Sequence, residues 1–234
     1  MNKKSSRRKF LRNTSLAAAG FFIVPRHVLG RGYIAPSDKL RIAGIGVGGK
    51  GEGDLAEFAK SPYVSIVALC DVDDRQAVES RKRFPKATYH KDFREMLEKE
   101  KNNIDAVSVS TPDNIHAIAT LAAMQLGKHV YTQKPLTHDI YEARMLTEAA
   151  KKYKVVTQMG NQGASGDGVR KAKEIFDAGL IGEVHTAQAW TNRPVWPQGM
   201  PTPTGSFEIP KELDWDLWLG PAKKIDYNPA YLPF

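Results

Sequence analysis

From Leu40 onward, short apolar runs alternate with longer stretches in which apolar residues recur every three or four positions. The runs at Leu40–Val47, Val64–Leu69, Ala87–Tyr89, Ile104–Ser110, Val130–Gln133 and Val155–Met159 predict strands. The stretches between them predict helices: one through Leu55, Phe58 and Ala59, then Asp74–Phe84, Asp92–Lys99, His116–Leu126 with Gly127 as its C-cap, and Ile140–Tyr153. Strands that read as near-continuous apolar runs are buried on both faces, and their regular alternation with helices predicts a doubly wound parallel sheet of the α/β class.

Beyond Gly160 the pattern changes. NQGASGDG reads as a loop, Val169–Ala178 as a helix ended by Gly179, and Glu183–Thr191 as a strand. A run rich in Pro and Trp follows, then LDWDLWLGP. One helix, one strand and a long irregular segment do not close a core. Residues 161–234 are therefore expected to be the beginning of a C-terminal α+β substrate domain that this chain does not complete. Residues 40–160 are expected to form a complete first domain, and 31–39 a linker rich in small residues.

Charge changes the reading of the N-terminus. The 234 residues carry a net charge of +8, which on a single face would suggest nucleic acid. Residues 1–30, however, hold seven Lys and Arg and no acid, and the 27 basic and 26 acidic residues that remain nearly cancel. The excess is an N-terminal tag, which argues against a phosphate-binding face and leaves no expectation of nucleic acid. Ser6-Arg7-Arg8-Lys9-Phe10-Leu11-Arg12 followed by the apolar run Leu16–Val24 resembles a twin-arginine export signal, too short to span a bilayer. The expected location is periplasmic, with cleavage near Gly30 and a membrane role only in export, or as an anchor if the signal is retained. The lone cysteine, Cys70, excludes an intrachain disulfide, and its apolar surroundings mark it as a core residue. The six histidines form no cluster with metal-ligand spacing, so no metal is expected.

Gly44-Ile-Gly46-Val-Gly48-Gly49 matches G-x-G-x-x-G between a strand and a helix, the fingerprint of a Rossmann dinucleotide site. In this reading Gly44 makes the tight turn, Gly46 admits a pyrophosphate, and Gly49 lets helix and strand pack closely. Asp71, at the end of the second strand, is placed to bind the adenosine ribose. A carboxylate there repels a 2′-phosphate and favours NAD over NADP, and Asp73 is a candidate to share the task. Glu52 and Asp54, close to the phosphates, and Gly51 and Gly53, in the first helical turn, count against tight binding. At the end of the fourth strand Ser110, Thr111 and Pro112 line the cofactor cleft. Asn114 and His116 are candidates either to reach the cofactor or to cap the helix. Lys134 leaves the fifth strand at the same edge. A lysine partly desolvated beside an oxidised nicotinamide has its pKa lowered and suits proton transfer, but position alone slightly favours a solvated strand-end lysine. Gln162, Arg193 and Trp196 are candidates to face substrate, while Trp190, Trp215 and Trp218 are expected to pack.

The order glycine loop, CDVD, STPDNIHA, lysine-proline step and NQ after the sixth strand resembles the Gfo/Idh/MocA family from about Leu40 to the end of the chain. The resemblance implies an NAD(P)-dependent oxidoreductase acting on a sugar, glycoside or polyol. Its Glu-Lys-Pro motif stands here as Gln133-Lys134-Pro135. The resemblance implies that Lys134 contacts substrate and assists proton transfer, that Gln133 borders the cofactor, and that the Lys134–Pro135 bond is cis. It also implies a further aspartate and histidine from a C-terminal open sheet, often an oligomer interface, and this chain stops at Phe234 before any such motif. Two other readings stand beside the dehydrogenase: a redox glycosidase that recycles its NAD in place, and a non-catalytic nucleotide- or sugar-binding protein.

Overall fold

The computed structural model describes residues 34–192 and 201–232. The expected export signal, Arg193 and Trp196 lie outside the described residues. Residues 40–232 belong to one compact unit.

Six strands form one sheet: β1 (Leu40–Ile45), β2 (Val64–Cys70), β3 (Thr88–His90), β4 (Ala106–Val109), β5 (His129–Gln133) and β6 (Thr157–Gly160). Their order is β3-β2-β1-β4-β5-β6, and every pairing is parallel. This is the doubly wound arrangement that the alternating pattern predicts, with its topological switch point between β1 and β4. Between the strands lie α1 (Gly49–Phe58), α2 (Val78–Arg83), α3 (Phe93–Glu100), α4 (Asp113–Gln125) and α5 (Ile140–Tyr153).

Period-2 alternation sends neighbouring strand residues to opposite faces. Ala43, Ile45, Val107, Val109 and Val130 meet Met96, Met124 and Leu146 of α3, α4 and α5. Ile42, Ile66 and Leu69 meet Leu55 of α1 and Ala77 on the other face. Cys70 is buried in the first of these cores, and burial pushes its thiol well above the usual range, as befits an inert core residue. The best-capped helix is α5, where the Asp139 carboxylate accepts from the Glu142 amide and the Glu142 side chain bonds back in a capping box.

Past β6 the outcome differs from the pattern. Helix α6 (Asp167–Asp177) forms, but Glu183–Thr191 forms no strand and is exposed. A strand is held by a neighbouring strand's amides and carbonyls, and among the described residues the sheet ends at β6. Trp190, expected to pack, is 85% exposed for the same reason. By contrast, residues 213–232 fold back on the parallel sheet and its helices. Leu213 bridges to Asp73 and the Asp214 amide donates to Val72 O at 2.9 Å. Trp215 of the short helix α7 (Trp215–Leu219) nucleates a satellite core with Leu213, Leu219 and Tyr227. Among the described residues no helix is long and apolar enough to cross a membrane.

Candidate cofactor and active site

The glycine-rich turn sits at the carboxyl ends of the strands, displaced two residues from the position read in the sequence. Gly44 lies inside β1, and the chain turns at Gly46, whose φ is +74°. A Cβ on Gly46 would stand 2.6 Å from Ser110 O, so β4 approaches the turn too closely for any side chain. Close packing falls to Gly51, where a Cβ would overlap the Gly46 carbonyl oxygen; around Gly49 there is open space within 4 Å. The operative pattern is thus Gly46-x-Gly48-x-x-Gly51. Local sequence offered two overlapping matches, and only the end of β1 chooses between them.

The N-cap of α1 is Gly48, which supplies no side-chain acceptor, so the first turn keeps amides available for an anion. The acids expected to weaken phosphate binding are both engaged. Glu52 accepts from Arg83 at 2.8 Å, and Asp54 points inward to the sheet edge.

Asp71 emerges from β2 beside this turn. Its carboxylate accepts from the amides of Val47 (2.8 Å), Gly48 (3.3 Å) and Asp73 (3.0 Å), which ties the second strand to the glycine turn. Burial raises its pKa, and those three amides offset part of the rise. Asp73 is less available than the sequence suggests, because Arg75 grips both its oxygens at 2.8 and 2.6 Å. Burial works to raise its pKa, but the hydrogen bonds and charge of Arg75 outweigh this and hold it below the usual range.

A cavity of about 620 Å³ opens above the ends of β1, β2 and β4. Gly46, Gly48, Asp71, Asp73, Ser110, Thr111 and Pro112 all border it. Asn114 and His116 do not point to a cofactor. Asn114 Nδ2 donates to Leu219 O at 3.1 Å. His116 is 1% exposed, with Nδ1 2.6 Å from Pro135 O and Nε2 2.8 Å from Thr111 O. It links the two strand-end loops from beneath and positions the loop that carries Lys134.

At the β4–β5 edge a second constellation gathers around Asp54, which is 4% exposed. Its carboxylate accepts from Gln133 Nε2 (2.6 Å), Ser110 Oγ (3.1 Å), Gln162 Nε2 (3.3 Å) and the Lys50 ammonium. Gln162 also donates to the Tyr131 hydroxyl at 2.8 Å. A glutamate at 133 would set a second carboxylate against Asp54, so the glutamine at this position complements the aspartate on α1. Gln133 is in turn packed on Gly160, where a Cβ would stand 2.8 Å from its amide.

Lys134 follows directly, joined to Pro135 by a cis peptide bond. Continuing the register in which Val109 faces Thr132 sets Lys134 level with Thr111. The side chain is exposed and makes no ion pair with any described residue, so the partial burial expected of it is not found. Among the described residues no metal-binding group of His, Cys, Asp or Glu occurs.

The glycine turn, the uncapped helix start and the carboxylate between them fit a dinucleotide, and the family model named Gfo/Idh/MocA, the oxidoreductase family with an NAD-binding Rossmann fold, matches residues 40–161, more than half of the chain. The chain belongs to this family. Among curated relatives, a glycosyl hydrolase family 109 protein of Shewanella pealeana is 27% identical over 218 residues, which cover 82% of this chain and 47% of that protein. The myo-inositol 2-dehydrogenase structure from Lactobacillus plantarum superposes with a TM-score of 0.58 at 31% identity, over 62% of this chain and 43% of that one. The scyllo-inositol dehydrogenase of Lactobacillus casei, solved with NAD(H) and scyllo-inositol, gives 0.57 at 25% identity over 62% and 43%. The chain spans less than half the length of each of these relatives. Asp54, Gly48, Gly51 and the aromatic segment of residues 213–232 were not picked out as site residues from the sequence. For Gly51, the three-residue step after Gly48 was the available signal.

Proposed function

We propose that this chain is the cofactor-binding part of an exported, NAD-dependent oxidoreductase acting on a hydroxyl of a sugar, glycoside or polyol. The observation that carries this reading is the convergence of the Gly46–Gly51 turn, Asp71 and Lys134 on one edge of the sheet. NAD, when bound, supplies a hydride acceptor or donor at its nicotinamide. The amides at the start of α1 hold the pyrophosphate, Asp71 accepts from the adenosine ribose, and Thr111 and Pro112 support the nicotinamide half. Lys134 takes or returns the hydroxyl proton.

The charges around the cavity support NAD over NADP. A 2′-phosphate needs an available cation, but Lys91 is paired with Asp74 at 3.0 Å and Arg94 with Asp92 at 2.6 Å. Asp71 would also repel it.

Free NAD is not supplied outside the cytoplasm, so an exported enzyme is expected to carry its cofactor across tightly bound. Native mass spectrometry of protein recovered from the periplasmic fraction should show one NAD(H) per chain. Protein confined to the cytoplasm would overturn export, and periplasmic protein that neither carries nor takes up nucleotide would overturn the cofactor assignment.

Lys134→Ala should lower kcat on the oxidised substrate by about 100-fold or more, the usual worth of a positioned acid/base, with NAD affinity nearly unchanged. Parent-like turnover would return Lys134 to a solvated strand-end residue. The likeness to a glycosyl hydrolase family 109 protein over most of the chain favours one second reading, the redox glycosidase. Glycoside cleavage without net NADH accumulation would select it over the dehydrogenase.

A further inference from the structure

The outer wall of the 620 Å³ cavity does not come from the nucleotide-binding domain's own strand-end loops. It is formed by Asp216, Leu217, Trp218, Gly220, Tyr231 and neighbours, residues far along the chain. This strap is fastened on both flanks of the cavity. On the β2 side the Asp74 amide donates to Glu212 O at 3.1 Å, Lys91 Nζ donates to the same oxygen at 2.7 Å, and Asp214 N bonds Val72 O. On the α4 side Asn114 Nδ2 holds Leu219 O, and Gly220 packs so closely on Ile115 that a Cβ there would overlap its side chain.

Between these anchors Trp218 stacks on Trp215, with ring centroids 4.7 Å apart and planes 13° from parallel. Trp215 is itself fixed by its indole N–H, which donates to Ile225 O at 2.9 Å, and by the edge of Tyr227 at 5.2 Å. Trp218 is therefore a rigid aromatic plate bordering the cavity. Val72, Phe93, Ile115 and Ile118 line the same space. With Asp71 at the ribose, as proposed above, an apolar, aromatic-walled space beside it suits a purine base.

Resting on the NAD reading above, we infer that residues 213–232 form a strap over the adenine end of the cofactor, with Trp218 as the wall against which the base lies. Part of the strap must detach for the nucleotide to enter or leave, so it governs cofactor retention. The two anchored flanks make that release slow, which suits a protein that keeps its cofactor through export.

The test compares ligands that share or lack the adenine. Isothermal titration of the full chain with NAD, ADP-ribose, AMP and nicotinamide mononucleotide is repeated for Trp218→Ala and Trp218→Phe. Trp218→Ala should weaken the three adenine-bearing ligands by a common factor of about 5- to 150-fold, the range of base–aromatic stacking. Nicotinamide mononucleotide affinity should stay put, NAD should dissociate faster, and Trp218→Phe should recover most of the loss. Unchanged NAD affinity and dissociation in Trp218→Ala, or an equal loss for nicotinamide mononucleotide, would overturn the strap assignment while leaving the NAD reading intact. A parent protein that binds none of the four ligands would instead overturn the NAD reading itself.

Discussion

Gly51→Ala should abolish dinucleotide binding, whereas Gly53→Ala, two residues later in the same helix, should leave it within a few-fold of the parent. The difference is steric. A methyl group at 51 overlaps the Gly46 carbonyl oxygen and stands 3.2 Å from Ser110 Cβ, so helix α1 must move away from the turn that receives the pyrophosphate. At 53 there is open space, and an alanine in a helix interior is favoured over glycine by about 1 kcal/mol. Gly53→Ala should thus raise the melting temperature, and Gly51→Ala should lower it, with a stability cost typical of overpacking, about 1–3 kcal/mol or more. Nucleotide titration and thermal denaturation of the two variants provide the measurement. Equal NAD affinity in Gly51→Ala and the parent would show that the turn is not read from Gly46 to Gly51.

A second large effect is expected from Gln133→Glu, the change that would restore the motif's usual first residue. The parent amide donates to Asp54 at 2.6 Å, in a site where both side chains are buried. The variant places two carboxyl groups at that contact, where they cannot both be ionised without a heavy penalty. The fold then holds one carboxyl protonated above the pH at which the unfolded chain releases that proton. Because the folded state binds the extra proton, stability falls as pH rises through that window and is largely retained below it. Urea denaturation should show a loss of about 3 kcal/mol or more at pH 8 relative to the parent, and a clearly smaller loss near pH 5. The double variant Asp54→Asn, Gln133→Glu exchanges amide and carboxylate and should recover much of the loss at pH 8. A pH-independent loss, or no rescue, would sink the pairing argument.

Both experiments bear on residues whose significance depends on distant neighbours. The strands, all but the last predicted one, and the helices from α1 to α6 follow from apolar runs and 3.6-residue periodicity, because burial on one or two faces leaves a periodic trace in any sequence. Edges shifted by only a few residues, as in β4, where the sequence suggested Ile104–Ser110 and pairing covers Ala106–Val109. The candidates Asp71, Ser110, Thr111, Pro112 and Lys134 were accessible because carboxyl ends of parallel strands converge on one edge whatever their spacing along the chain. Asn114 and His116 were misdirected by the same logic. They stand at the right helix start, but contacts from Leu219 and Pro135 occupy them, 105 and 19 residues away.

What the sequence determined alone is the doubly wound sheet, its glycine-rich first turn, an inert Cys70 and the family to which the chain belongs. These rest on local periodicity and on ordered motifs, which survive without knowledge of what packs on what. Tertiary structure decided which three glycines act, that Gln133 answers Asp54, that Glu183–Thr191 joins no sheet, and that a segment beyond residue 212 borders the cavity. Each of these is a contact between residues far apart in the chain, fixed by the parallel crossovers and by burial, and no local pattern of hydrophobic and polar positions encodes it.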